Sequence, residues 1–436
     1  MFLQNAIAKR IDDNNPVKVA LIGAGKFGSM FLSQVPSTTG IEVLVIADLK
    51  PDNAIKACKN VGWSDDLINK TKFVDTGADA IKLNEVEVVI EATGFPAAGI
   101  EHARQAFQNG KHIIMVNVEA DVLAGAALAK EANSVGVVYS MAYGDQPALT
   151  AEIVEWARAS GFNVTSAGKG TRYQPIYHKS SPDTVWDYYG LTHEEARKAG
   201  MNPKMFNSFL DGTKSGLEMA AIANACDLEV PTNGLLFPPC GMDDLANILK
   251  PLEFGGLLEK NGQVEVVSSL ERDGRPVFKD LRWGVYAVLE APNDYAASCF
   301  KQYGMNTDDT GKYSAMYKPF HLIGMELNIS VFSAALLNQA TGQTKKFTGD
   351  VVSTTKKNLK KSEILDGEGG ATVWGKLVPS KLSLSMEALP IGLAHGIKLK
   401  NEIEENKIIT WNDVDFSSND PAISYRRKME KDFKKS

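Results

Sequence analysis

Gly23-Ala24-Gly25-Lys26-Phe27-Gly28 follows the apolar run Val17–Ile22 and leads into a stretch of helix-forming residues. The chemistry open to that spacing is the binding of a dinucleotide. The first glycine permits a tight turn, the second lets a pyrophosphate approach the backbone, and the third lets helix pack closely on strand. Free N–H groups at the start of the helix then face the phosphates. A second apolar run, residues 42–47, ends in Asp48, twenty residues past Gly28. A carboxylate there is suitably placed to accept hydrogen bonds from a ribose.

Three further groupings could act on a substrate. Lys169, Arg172, His178 and Lys179 crowd beside glycines, a pattern that suits a phosphate or carboxylate ligand, because charged hydrogen bonds of this kind contribute roughly 1.5–3 kcal/mol each. Lys214 and Glu218 stand four residues apart within 213–226, the spacing of an ordinary surface ion pair as well as of an acid–base couple. Lys318 and His321 flank Pro319-Phe320 ahead of the apolar segment 322–329, two proton-transfer groups three residues apart. Asp183, Glu218 and Glu326 are conceivable ligands of a divalent metal, although no spacing among them matches a recognised metal motif, and the metal stays unassigned.

The elements that must position these groups alternate along the first 150 residues. Strands are predicted at 17–22, 42–47, 87–91, 111–116 and 135–139, and helices from 26, near 53–60, at 98–109 and at 122–134. This is the pattern of a doubly wound parallel sheet, a Rossmann-type α/β domain over 1–150. Ligands lie beyond the carboxyl ends of such strands, so Thr93-Gly94 and Asn117-Val118-Glu119 are expected to border the cofactor, and the loop 143–147 the substrate. A helix near 148–160 leads into an α+β catalytic domain over 151–344. The last stretch, 345–436, is lysine-rich with short β pieces and a glycine turn at 366–370, and it reads as a small separate domain. Its tail from Tyr425 to Ser436 is expected to be frayed or a peripheral helix, and residues 1–16 an amphipathic lead-in helix.

Composition narrows the partners. A net charge of −6 lacks the basic footprint of nonspecific nucleic-acid binding. Four scattered cysteines, Cys58, Cys226, Cys240 and Cys299, form no C-x-x-C pair and fit reduced thiols in a cytoplasmic protein. No apolar run reaches the length of a membrane span. A small anionic substrate and a homodimer are the expected partners.

The turn at 23–28, the loop Glu91-Ala92-Thr93-Gly94 and the segment Val116-Asn117-Val118-Glu119 resemble the homoserine-dehydrogenase-like oxidoreductases. Residues 350–415, with Lys360-Lys361-Ser362-Glu363-Ile364-Leu365 and Ile408-Ile409-Thr410-Trp411-Asn412-Asp413-Val414, resemble a SAF domain. Together these cover nearly the whole chain and are similar to a group that includes reductoisomerase-like enzymes converting 1-deoxy-D-xylulose 5-phosphate to 2-C-methyl-D-erythritol 4-phosphate. The resemblance implies an NADPH-dependent or NADH-dependent enzyme, with Asp48 favouring NADH and Lys50 able to receive a 2′-phosphate if Asp48 turns aside.

The chain departs from homoserine dehydrogenase at two catalytic lysines, where it has Val118 and Glu218. Neither can polarise a carbonyl as an ammonium does. The resemblance therefore leaves Lys169 and Arg172, with Lys179 or Lys318, to bind phosphate, and Lys214, Glu218 and His321 for carbonyl polarisation and proton transfer. A dehydrogenase of sugar acids or of a homoserine-like substrate, and a non-catalytic dinucleotide sensor, are the alternatives.

Overall fold

The computed structural model describes residues 3–434. Met1 and Phe2 of the expected lead-in helix, and Lys435 and Ser436 of the expected tail, lie outside them. The chain divides into two compact units, one formed by 1–152 with 321–345, the other by 153–320 with 346–436.

The first unit is built on six parallel strands, β1 (Val17–Ile22), β2 (Ile41–Ala47), β3 (Lys72–Val74), β4 (Val88–Glu91), β5 (His112–Met115) and β6 (Tyr139–Met141). Their order is β3-β2-β1-β4-β5-β6, the doubly wound Rossmann arrangement, with the strand order reversing between β1 and β4. β1 and β4 are almost wholly buried, as expected of strands covered on both faces. The three-residue β3 was not anticipated, being too short to show a periodicity. The last strand lies at 139–141 rather than at 135–139, because the turn at Gly136, with φ of 74°, interrupts the apolar run.

The segment 321–345 belongs to this unit because its apolar side chains complete the unit's core. Leu327, Val331, Phe332 and Ala334 are buried in one cluster with Val17, Leu21, Phe31 and Ile114.

The second unit carries a four-stranded sheet, β10-β9-β7-β8, made of β7 (Asn163–Thr171), β8 (Gln263–Ser268), β9 (Val285–Glu290) and β10 (Tyr313–Lys318). Lys169 therefore lies in the second half of a strand, Arg172 just beyond its end, and His178 and Lys179 in the helical turn Pro175–Lys179. Further on lie a pair, β11 (Gly349–Thr355) with β13 (Val373–Pro379), and a three-stranded sheet of β12 (Ile364–Asp366), β14 (His395–Leu399) and β15 (Val414–Asp415).

The β-rich character expected after residue 345 is present, but this region packs with 153–320 as one unit. The Thr213–Cys226 helix, almost wholly buried, joins them. The Asn224 side chain accepts from the amides of Thr348 and Gly349 at 2.7 and 2.8 Å and donates to the Gly349 carbonyl at 3.1 Å. Gly216 lets the β13 backbone approach, since a Cβ there would stand 3.1 Å from the Gly375 oxygen. The charged tail forms the Pro421–Lys434 helix rather than a frayed end. Arg426 is fully buried and pairs with Asp350 at 2.5 Å and Glu430 at 2.9 Å.

Candidate active site

In the first unit the glycines of the turn differ in what surrounds them. Gly23 has φ of 96°, and a Cβ on it would stand 2.7 Å from the Ala92 carbonyl oxygen, so the turn lies directly against the β4 loop. A Cβ on Gly28 would collide with the Gly23 carbonyl. Gly25 is exposed, and a Cβ on it would meet nothing within 4 Å. It is the N-cap of the Lys26–Gln34 helix, so the amides of that first turn are left open for a phosphate to approach.

Asp48 closes the turn. Its carboxylate accepts the Ala24 amide at 3.2 Å and the Lys50 amide at 3.0 Å. Ala24 is buried, Lys26 exposed, and Phe27 packs against the core. These contacts fix Asp48 beside the turn and leave carboxylate lone pairs for a ribose hydroxyl.

Of the other residues expected near the cofactor, Thr93 and Gly94 are exposed just beyond β4. The Thr93 hydroxyl donates to Glu91 at 2.5 Å, and the fully buried Glu91 also meets His102 Nδ1 at 3.2 Å. Asn117 has a structural use. It caps the Val118–Ser134 helix through the Ala120 amide at 3.1 Å and donates to the Phe95 carbonyl at 3.0 Å, holding the two loops together. Glu119 stands half-buried in the first turn of that helix. Sequence reasoning missed a pair next to the 143–147 loop, Tyr143 donating to Glu152 at 2.5 Å. Burial and this carboxylate hold the phenol's pKa well above its ordinary value.

In the second unit the reading of Glu218 as half of a surface pair with Lys214, offered beside that of an acid–base couple, is corrected. Glu218 is 2% exposed and forms an ion pair with Lys169, itself 6% exposed. The reason is the helix position: Glu218 lies on the side turned to the four-stranded sheet, and its neighbour Met219 packs near Gly168. The basic cluster is not an open anion site either. Lys169 pairs with Glu218, Arg172 donates to the Tyr188 carbonyl at 3.1 Å, and Lys179 pairs with Glu405 at 2.6 Å. Lys318 ends β10 with its ammonium 5.1 Å from the Phe320 ring centre, while His321 begins the returning segment of the first unit.

A second buried carboxylate escaped the sequence reading. Glu265 on β8 is fully buried and accepts the amides of Leu236, Phe237 and Val266 at 2.9–3.3 Å. Burial raises its pKa from 4.5 to about 7 against these hydrogen bonds. An acid inside the apolar run of β8, Gln263-Val264-Glu265-Val266-Val267-Ser268, was the available signal. Among the described residues no three His, Cys, Asp or Glu side chains come together as a metal-binding group, so Asp183, Glu218 and Glu326 do not form one. No helix among them is long and apolar enough to cross a membrane.

A doubly wound parallel sheet bearing this turn has the form of a dinucleotide-binding domain. Residues 144–327 match the model of a family described as the catalytic domain of the oxidoreductase DRL. No curated protein matches it. Solved structures that it resembles include myo-inositol dehydrogenase from Lactobacillus casei with NAD(H) and myo-inositol, at 16% identity over 39% of this chain and 50% of that one, with a TM-score of 0.30. An oxidoreductase domain protein from Kribbella flavida gives 17%, 45%, 53% and 0.30. The 3-ketoreductase KijD10 from Actinomadura kijaniata with NADP gives 16%, 37%, 50% and 0.27. The chain thus spans about half the length of each.

Proposed function

We propose that this chain is a nicotinamide-dependent oxidoreductase that reduces the carbonyl of a small anionic sugar derivative, with Lys169 as the group that polarises and protonates the carbonyl oxygen. The observation that carries this reading is the buried Lys169–Glu218 pair, which lies inside the segment matching an oxidoreductase catalytic domain. An ammonium held in a dry, fixed geometry is set up to stabilise developing negative charge on oxygen. Glu218, paired with it, holds the Lys169 side chain in place.

The dinucleotide supplies the hydride when bound. The space over Gly25, which a Cβ would fill, and the fixed Asp48 carboxylate fit its pyrophosphate and ribose. Because Asp48 is tied to the Ala24 amide rather than turned aside, NADH is the preferred form. A 2′-phosphate would meet the carboxylate's charge.

The first substrate to test is 1-deoxy-D-xylulose 5-phosphate, whose reductive isomerisation the sequence resemblance implies. The internal commitments of Lys169, Arg172 and Lys179 favour a second reading, in which the substrate is an unphosphorylated sugar acid. A spectrophotometric screen of NADH and NADPH against phosphorylated ketoses, aldehydes of the homoserine route and sugar acids separates the two. Turnover that falls about 100-fold or more in Lys169→Met, with dinucleotide affinity unchanged, is expected of a general acid. Turnover indifferent to Lys169→Met would remove that residue from the chemistry. Folded, dinucleotide-binding protein without turnover on any carbonyl compound would leave the sensor alternative standing.

A further inference from the structure

The second unit holds a pocket of about 190 Å³ lined by His178, Gly212, Gly216, Phe237, Trp374 and Lys376, among others. It is separate from the Lys169–Glu218 pair. Glu218 faces the four-stranded sheet, whereas the pocket lies where the other side of the same helix, at Gly216, meets β13.

Trp374 and Lys376 alternate on β13 and so project on one face of it. Trp374 forms one wall, stacked on His178 with ring centres 3.9 Å apart. His178 is held in turn. Its Nδ1 donates to the Asp211 carbonyl at 2.7 Å, and its Nε2 accepts from the Tyr173 hydroxyl at 2.9 Å. Phe237 stacks on Tyr173 with ring centres 4.1 Å apart and makes a second rigid aromatic surface.

Lys376 is the one residue here whose chemistry the rest of the protein does not use. It is half-buried, and among the described residues its ammonium makes no hydrogen bond and no ion pair. Its alkyl stem is nevertheless held, because the backbone at Gly234 lies against it: a Cβ there would stand 3.0 Å from Lys376 Cε. No carboxylate lines the pocket. Burial alone lowers the lysine's pKa, so the ammonium lacks a compensating anion in a place that penalises its charge. His178 is likewise pushed toward its neutral form by burial, leaving Lys376 as the pocket's single charge.

We propose that this pocket binds a small planar monocarboxylate, with the carboxylate on the Lys376 ammonium and the flat apolar body against Trp374 and Phe237. The volume sets the size, since a cavity of about 150 Å³ already admits a benzene ring. One lysine among aromatic walls matches a single negative charge on a flat body better than the several charges of a phosphate ester, which call for more donors. The proposal does not depend on the identity of the substrate reduced at Lys169.

Titration calorimetry on the full chain with benzoate as probe tests it, with benzylammonium as the isostere of opposite charge and inorganic phosphate as the competing anion. Saturable benzoate binding is expected, accompanied by a change in tryptophan fluorescence that Trp374→Leu abolishes. Lys376→Met keeps the stem beside Gly234 and should weaken binding roughly tenfold or more, the loss of one charge-assisted hydrogen bond. Absence of saturable binding at millimolar benzoate would overturn the proposal. So would equal binding of benzylammonium, equal affinity in Lys376→Met, or binding of phosphate in place of benzoate.

Discussion

Among the candidate residues, the glycine turn was legible in the sequence because its shape is set by the backbone. Gly23, Gly25 and Gly28 follow a spacing fixed by the geometry of one turn, which Ala92 and Asp48 then hold from the neighbouring strands. Side-chain roles were less legible. Whether Glu218 pairs with Lys214, four residues away, or with Lys169, forty-nine residues away, depends on which helix face the sheet covers. Local spacing does not encode that. Asp48 and Glu265 carry a prediction each. Replacing Asp48 with Ser removes the charge that opposes a 2′-phosphate, so the ratio of kcat/KM for NADPH to that for NADH should rise by about tenfold or more, a change of about 1.4 kcal/mol. A ratio left unchanged would show that the carboxylate does not reach the ribose. For Glu265 the folded pKa lies near 7 against an ordinary 4.5. Between those values the folded protein binds more protons than the unfolded chain, so the stability present below about pH 4.5 is lost as the pH rises through about 7. Glu265→Gln should therefore raise the melting temperature at pH 8 by a few degrees relative to the parent and give little gain near pH 5. A gain equal at both pH values would mean that the carboxyl does not titrate there.

At the level of elements, the strands and helices of the first 150 residues were largely legible, because their burial repeats with a period the sequence displays, whereas β8, β9, β10 and the helices Pro203–Leu210 and Asp294–Gln302 of the second unit were not anticipated. Misplacements came from local backbone events. Gly136 delays β6, and Asn117 starts its helix four residues earlier than the apolar pattern does, by capping it. The final helix was one of two readings of the tail, and its burial was not legible for a different reason. Its charges look solvent-facing in sequence, yet Arg426 is compensated by Asp350, which lies seventy-six residues away. The turn between β1 and the Lys26–Gln34 helix gives the sharpest test of element against ligand. Gly25→Ala places a methyl group in empty space, so the melting temperature should not move while dinucleotide affinity falls. Gly28→Ala drives the same methyl into the Gly23 carbonyl, and the helix must shift off its strand. That variant should lose stability as well as affinity, by about 2 kcal/mol or more, in the range of other overpacked cores. Denaturant melts and dinucleotide titrations of both variants decide the matter, and equal stability loss in the two would mean that the turn's shape and its binding surface are not separable.

Over the whole molecule, three consecutive domains were expected, and the chain instead makes two units by crossing the division more than once. Sequence cannot show such a return. Residues 321–345 look like any other apolar segment until Leu327 and Phe332 are seen in one core with Val17 and Phe31. Each unit has apolar clusters of its own, the second unit's being built around Tyr286 and Tyr313, around Trp186, and around Val352 and Val378. A dinucleotide seated on the turn at 23–28 touches the first of these cores through β1 and its helix. Ligand that binds only the native form of one unit stabilises that unit by mass action, about 2.7 kcal/mol when its concentration is 100 times Kd. Scanning calorimetry of the intact chain should accordingly show two transitions, with NADH moving one of them upward and leaving the other in place. The unit that responds can be assigned with Gly25→Ala, in which the same concentration of NADH should produce little shift while both transitions keep their unliganded positions. A single transition that moves as a whole with NADH would mean that the two units unfold as one cooperative body, and the stability of each core could then no longer be treated apart from the other.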